Sequence, residues 1–171
     1  MTDVTRVLGI DPGSQITGYG VIDIQQKLDK TVLINSGEVR TKGEHRDRLR
    51  QIFTNIGEVV KQFQPDEVSV ERVFVHRNAD SALKLGQARA AALCATFEAD
   101  LPIYEYAARQ IKKAIVGRGS ADKTQVQHMV KLVLSMESPP NFDEADALAA
   151  ALCHAHVRGT RSLLKEAMVS S

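Results

Sequence analysis

Over the first forty residues, apolar and polar positions change in short blocks rather than in helical steps. Thr5–Ile10, Gly18–Gln25 and Thr31–Arg40 are rich in β-branched side chains and joined by brief turn-rich links, which predicts three strands. Links that short imply an antiparallel meander. The period then changes. Leu49, Ile52, Phe53, Ile56, Val59, Val60 and Phe63 recur at steps of three and four, the apolar stripe of a helix that breaks at Gln64-Pro65-Asp66. Glu67–Glu71 alternates as a fourth strand, Ser81–Asp100 is an Ala-rich helix, and Pro102–Tyr106 is a fifth strand. Helices are expected over Arg109–Val116, Asp122–Ser135 and Asp143–Val157, the last two separated by Ser138-Pro139-Pro140-Asn141. After Gly159 the chain is polar, and residues 159–171 are expected to form a flexible tail. This order predicts an α/β fold, a five-stranded mixed sheet flanked by helices.

Composition narrows the class. At 171 residues, with 43% hydrophobic and 25% charged positions, the chain reads as one globular domain able to bury a core without staples. Asp3, Arg6 and Asp11 interrupt any signal-peptide core, and the apolar stretch Ala147–Cys153 is too short to span a bilayer. Cys94 and Cys153 sit in Ala-rich segments without a CxxC spacing, which predicts two buried, reduced thiols and a cytoplasmic protein.

Against that ordinary background four acids stand at the ends of elements. Asp11 closes the first strand just before Pro12-Gly13, and Glu71 closes the fourth. Asp143 and Asp146, three apart at the start of the last helix, share a face. If strands one and four run parallel and adjacent, Asp11 and Glu71 emerge at one edge, where a helix N-terminus could add the other pair. Carboxylates gathered so closely repel unless cations hold them, and all-oxygen ligands select hard ions such as Mg²⁺ or Mn²⁺. Each acid also has a plainer account: Asp-Pro-Gly is a turn signal, and Asp143, Glu144 and Asp146 suit the helix macrodipole.

The net charge is +1, yet between Ala107 and Lys131 six basic residues face a single acid, Asp122. Arg109, Lys112, Lys113, Arg118, Lys123 and Lys131 together favour a phosphate-binding surface over a solvated helix face. The segment "VGRGSADKT" lacks the Gly that a phosphate loop needs before its Lys, and reads instead as a turn with Ser120 as helix N-cap. Phe74, in the loop after Glu71, is equally a core anchor or a base-stacking wedge. In "CHAH" the two histidines point to different helix faces, which favours structural roles over a metal site.

The strings "GIDPGSQITGYGVI", "VERVFVHRNADSALKLGQARA", "YEYAARQIKKAIVGRGSADKTQVQHMV" and "DEADALAAALCHAH" resemble the RuvC family of bacterial Holliday-junction resolvases, in order and nearly to Arg158. The resemblance implies a ribonuclease-H-like fold and a homodimer that cuts four-way junction DNA by paired symmetric nicks in recombination and repair. It implies two Mg²⁺ ions per site, with Mn²⁺ as a substitute, held by Asp11, Glu71, Asp143 and Asp146. The same resemblance implies DNA contacts by Phe74, Arg72, Arg77, Lys112, Lys113, Arg118 and Lys123, and partnership with the RuvA–RuvB branch-migration complex. At Arg72 the family often carries Gln, so a contact at that position differs here.

Two other functions fit parts of the pattern. An ATPase of the actin and sugar-kinase type also places an Asp-x-Gly turn after its first strand, but needs a second such domain and a second phosphate loop. A non-catalytic junction binder would account for the basic segment, but gains nothing from four carboxylates turned toward DNA phosphates.

Overall fold

The computed structural model describes residues 4–28, 30–72 and 78–169, so Phe74 and Arg77 lie outside the described residues. Strands β1 (Val4–Asp11), β2 (Ile16–Gln25), β3 (Lys30–Arg40), β4 (Glu67–Glu71) and β5 (Ile103–Tyr106) form one sheet in the order β3-β2-β1-β4-β5. β1, β2 and β3 make the expected antiparallel meander, while β4 lies parallel to β1 and β5 parallel to β4. Helices α1 (His45–Phe63) and α2 (Ala79–Cys94) cover one face; α3 (Ala108–Val116), α4 (Lys123–Val133) and α5 (Phe142–Val169) cover the other.

Alternation along β1 divides its side chains between two cores. Leu8 and Ile10 pack with Ile52 and Ile56 of α1 and with Ala88 and Ala92 of α2. Val7 points the other way, into a cluster with Ile111, Val126, Val130 and Leu148. Ile10, Ile22, Ile52, Ile56 and Leu148 are wholly buried, and each such side chain contributes about 1.5–3 kcal/mol. Asp11 shares the parity of Val7, so its carboxylate belongs to the α5 face of the sheet. β4 obeys the same rule: Glu67 and Ser69 both bond to α5, and Glu71 continues their series.

Several local expectations change. Phe53 is 47% exposed, because Ile52, Ile56, Val59 and Val60 already fill the stripe that α1 turns to the sheet. The N-cap of α4 is Asp122 rather than Ser120: the Asp122 carboxylate accepts from the Gln125 N–H and the Gln125 side chain accepts in return from the Asp122 N–H. Cys94 is exposed at the end of α2, whereas Cys153 is buried in α5, where burial pushes its thiol up to about 11. Finally, α5 does not stop near Gly159 but runs to Val169. Leu163, Leu164, Lys165, Glu166, Ala167 and Met168 are strong helix formers, enough to carry the helix past one glycine at a cost of about 1 kcal/mol.

Candidate active site

Asp11 and Glu71 end neighbouring parallel strands, with Ile10 beside Val70 in the register, so both carboxylates leave the same end of the sheet. The turn after Asp11 is pinned rather than loose. The buried Thr17 hydroxyl donates to the Gly13 carbonyl at 2.9 Å, and the Thr41 hydroxyl donates to the Ser14 carbonyl at 2.9 Å. A Cβ on Gly13 would stand 2.1 Å from the Ile16 carbonyl oxygen, so glycine lets this turn fold back tightly.

The third and fourth acids arrive on α5, and glycines decide how close they come. A Cβ on Gly9 would lie 2.1 Å from the Ala147 carbonyl oxygen, one on Gly18 1.9 Å from that of Asp143, and one on Gly20 2.4 Å from Leu148. Gly9 pairs with Gly20, and Asp11 pairs with Gly18. The helix therefore rests on a bare strip of backbone across β1 and β2. Its first turn, with Asp143 and Asp146, is brought down beside Asp11.

The electrostatics record this convergence. Burial, then the charges of Asp146, Asp143 and Glu71, push the Asp11 carboxyl up to about 8, against a smaller opposing pull from Lys123. Glu71 is raised by burial and by Asp146, with Lys112 and Lys123 acting the other way. Lys123 donates to Asp146 Oδ2 at 3.0 Å, and that bond raises the Lys123 ammonium. Asp11, Glu71, Asp146, Lys112 and Lys123 line one open cleft of about 250 Å³, with Ala108, Ile111 and Val126 as its apolar wall.

All-oxygen donors that repel one another match a hard divalent cation in chemistry and in charge. Among the described residues no three Asp, Glu, His or Cys side chains already stand at metal-holding spacing. The Lys123 ammonium on Asp146 supplies part of the positive charge that the cluster lacks. The donor set fits the ion, provided the carboxylates close upon it.

Of the basic residues singled out in the sequence, Lys112 and Lys123 enter the cleft. Lys113 and Arg118 are exposed and do not line it. Arg72 faces Glu105 across 3.9 Å, and Arg89 holds the same carboxylate at 2.8 Å, so the Arg72 guanidinium turns toward β5. In "CHAH", His154 is buried and His156 exposed. His154 joins Tyr106 Oη at 2.6 Å to Glu67 Oε2 at 2.5 Å, and Arg158 closes on the other Glu67 oxygen. This chain ties α5 to β4 and β5, the strands beside the cleft.

Residues 7–154 match the family model described as "Crossover junction endodeoxyribonuclease RuvC". The chain is 55% identical over 160 residues to the crossover junction endodeoxyribonuclease RuvC of Methylococcus capsulatus, covering 93% of this chain and 95% of that one. Its structure is similar to Thermus thermophilus RuvC in complex with Holliday junction substrate, with a TM-score of 0.84, 37% identity, and coverage of 91% and 96% of the two chains. A yeast mitochondrial Holliday junction resolvase, at 14% identity and a TM-score of 0.65, shares the fold.

Proposed function

The chain belongs to the RuvC family of crossover junction endodeoxyribonucleases, and on that premise we propose that it resolves four-way DNA junctions by hydrolysing one phosphodiester in each of two symmetric strands. The observation that carries the reading is the meeting of Asp11, Glu71 and Asp146 with Lys112 and Lys123 in one cleft, with Asp143 close enough to raise Asp11. The family model and the junction-bound structural relative support it.

In this reading Asp11, Glu71, Asp143 and Asp146 hold divalent ions, Mg²⁺ with Mn²⁺ as a substitute. When bound, such a pair supplies positive charge that favours attack of water on phosphorus and departure of the 3′-oxygen. The products are a 3′-hydroxyl and a 5′-phosphate. Asp11 and Glu71 are fixed by the sheet, so they set the position to which Asp143 and Asp146 of α5 adjust. Lys112 and Lys123 bring the scissile phosphate to a cluster that would otherwise repel it. Lys113, Arg118 and Arg72, which do not line the cleft, extend the DNA contact, and Arg77 and Phe74 join it in this reading on the family resemblance alone.

The reading includes a homodimer, because two symmetric nicks require two sites. Phe53 of α1 and Leu83 of α2, 47% and 68% exposed, offer apolar surface for a second copy. It also includes action in the cytoplasm, on junctions delivered by a RuvA–RuvB complex; among the described residues no helix is long and apolar enough to cross a membrane.

The test is cleavage of a synthetic four-way junction with Mg²⁺ and with chelator, strand by strand. Paired nicks with Mg²⁺ and none with chelator are expected. Equal cutting under both conditions, or cutting of linear duplex at the same rate, overturns the reading.

A further inference from the structure

Glu144 stands between two of the site acids, yet it turns away from them. Around an α-helix it lies about 100° from Asp143 and about 160° from Asp146, on the opposite flank. There it is held at both oxygens. The Ser36 hydroxyl of β3 donates to Glu144 Oε1 at 2.5 Å, and the Asn141 backbone N–H donates to Oε2 at 3.2 Å. Ser36 is itself located by the sheet, since it pairs with Gly20, the residue on which Leu148 of α5 rests.

The geometry points to Glu144 as a positioning residue: the Ser36–Glu144–Asn141 clasp sets the rotation of α5, and with it the direction in which Asp143 and Asp146 present their carboxylates. The glycine strip fixes how near the helix comes to the sheet, and the Ser69–Ala150 and His154–Glu67 bonds hold α5 farther along, but neither bond grips its first turn. Ser36 anchors the β3 flank of the first turn, and the Asp146 flank is left facing Glu71 and Lys123. A roll of α5 would carry Asp143 and Asp146 together, because both lie on the same helix. This inference rests on the metal-site reading above and adds to it a reason for the orientation of two of the four ligands.

The test uses full-length Ser36→Ala, Ser36→Thr, Glu144→Ala and Glu144→Gln proteins. Mg²⁺ or Mn²⁺ is titrated into DNA-free protein and followed by the rise in Tm; junction cleavage then separates the metal concentration for half-maximal rate from the saturated rate. Losing the Ser36 bond in Ser36→Ala is expected to raise the metal requirement about three- to tenfold, and losing both bonds in Glu144→Ala to raise it at least as much. The metal-free Tm and the saturated rate are expected to change little. Ser36→Thr keeps the hydroxyl, and Glu144→Gln can accept from the Asn141 N–H with its one oxygen while its amide donates to the Ser36 hydroxyl oxygen, so both are expected to behave like the wild type. A wild-type metal requirement in Ser36→Ala overturns the clasp, and so does a loss in Glu144→Gln as large as in Glu144→Ala, which would mean that charge alone matters. If the wild type neither gains Tm with metal nor cuts with it, the metal-site reading falls and the clasp falls with it.

Discussion

Gly18 lies opposite Asp11 in the β1–β2 register, and the space its missing side chain leaves is taken by the Asp143 carbonyl oxygen, 1.9 Å from where a Cβ would sit. One cross-strand position thus links the acid of β1 to an acid of α5. The obstacle to any side chain there is backbone on both sides, and no rotamer change can relieve it.

Gly18→Ala is therefore expected to lift the first turn of α5 off the sheet. Overpacking of this kind costs about 1–3 kcal/mol, a fall in Tm of about 3–10 °C for a chain this long. The metal-induced rise in Tm is expected to shrink with it. Thermal melts with and without Mg²⁺ check both, and a variant with unchanged melting and metal response contradicts the close packing.

Asp11 makes the stability of the metal-free protein depend on pH. Its carboxyl titrates at about 8 when folded, against about 3.9 in an unfolded chain. The folded state therefore binds this proton more tightly, so the stability this one carboxyl contributes is full below about pH 4 and is lost as pH rises through about 8. Asp11→Asn removes that decline and is expected to melt roughly 5 °C above the wild type at pH 9 without metal. Divalent ion added to the wild type is expected to narrow the gap, because a ligand of the folded state alone stabilises it. Junction cutting by Asp11→Asn is expected to be abolished while binding persists. Parallel pH profiles of the two proteins in chelator would contradict the burial of this charge.

Lys112→Ala and Lys123→Ala each remove one cation from the cleft wall. Each is expected to lower the slope of log K against log salt for junction binding by about 1, since one fewer counterion is released. Binding isotherms at several salt concentrations measure it, and two unchanged slopes would return both lysines to ordinary surface.

His154→Ala takes away the group bonded to both Tyr106 and Glu67 and opens a cavity beside them. A loss of about 2–4 kcal/mol is expected, read as a Tm lower by about 5–12 °C. A shift under 2 °C would show that the buried chain contributes little.

The two thiols are expected to separate in a labelling experiment. Cys94, exposed at the end of α2, reacts in the native protein; Cys153, buried and with its thiol pushed up to about 11, reacts only on unfolding. Two fast thiols, or none, would contradict this.

Sequence patterning showed the parts of the molecule that depend on short range. The meander follows from strand periods and joint lengths, and the register agrees; that β4 lies parallel beside β1, the condition on which Asp11 and Glu71 share an edge, is met in the sheet. What it missed depends on distant partners. Glu144 looks like any first-turn acid until Ser36, 108 residues earlier, is seen to hold it. Gly9, Gly18 and Gly20 look like weak points in strands until α5 is laid over them. Cys94 was misplaced because an Ala-rich helix has no strong polar face to show which side is covered; only Ala88 and Ala92 of α2 are buried. The approach of Arg72 to Glu105 likewise joins positions 33 residues apart and is not visible in the sequence.

The glycine strip also limits how this protein can change over generations. On the helix side of Gly9 the facing groups are a carbonyl and the methyl of Ala151, so neither surface has bulk left to shed. A larger residue at Gly9 or Gly18 meets an α5 backbone carbonyl that no substitution on the helix removes; at Gly20 a smaller residue in place of Leu148 could make room. The separation between the acids of the sheet and those of the helix can thus be widened by single substitutions but not narrowed. Descendants of this sequence that keep the acids together are therefore expected to keep glycine at positions 9 and 18.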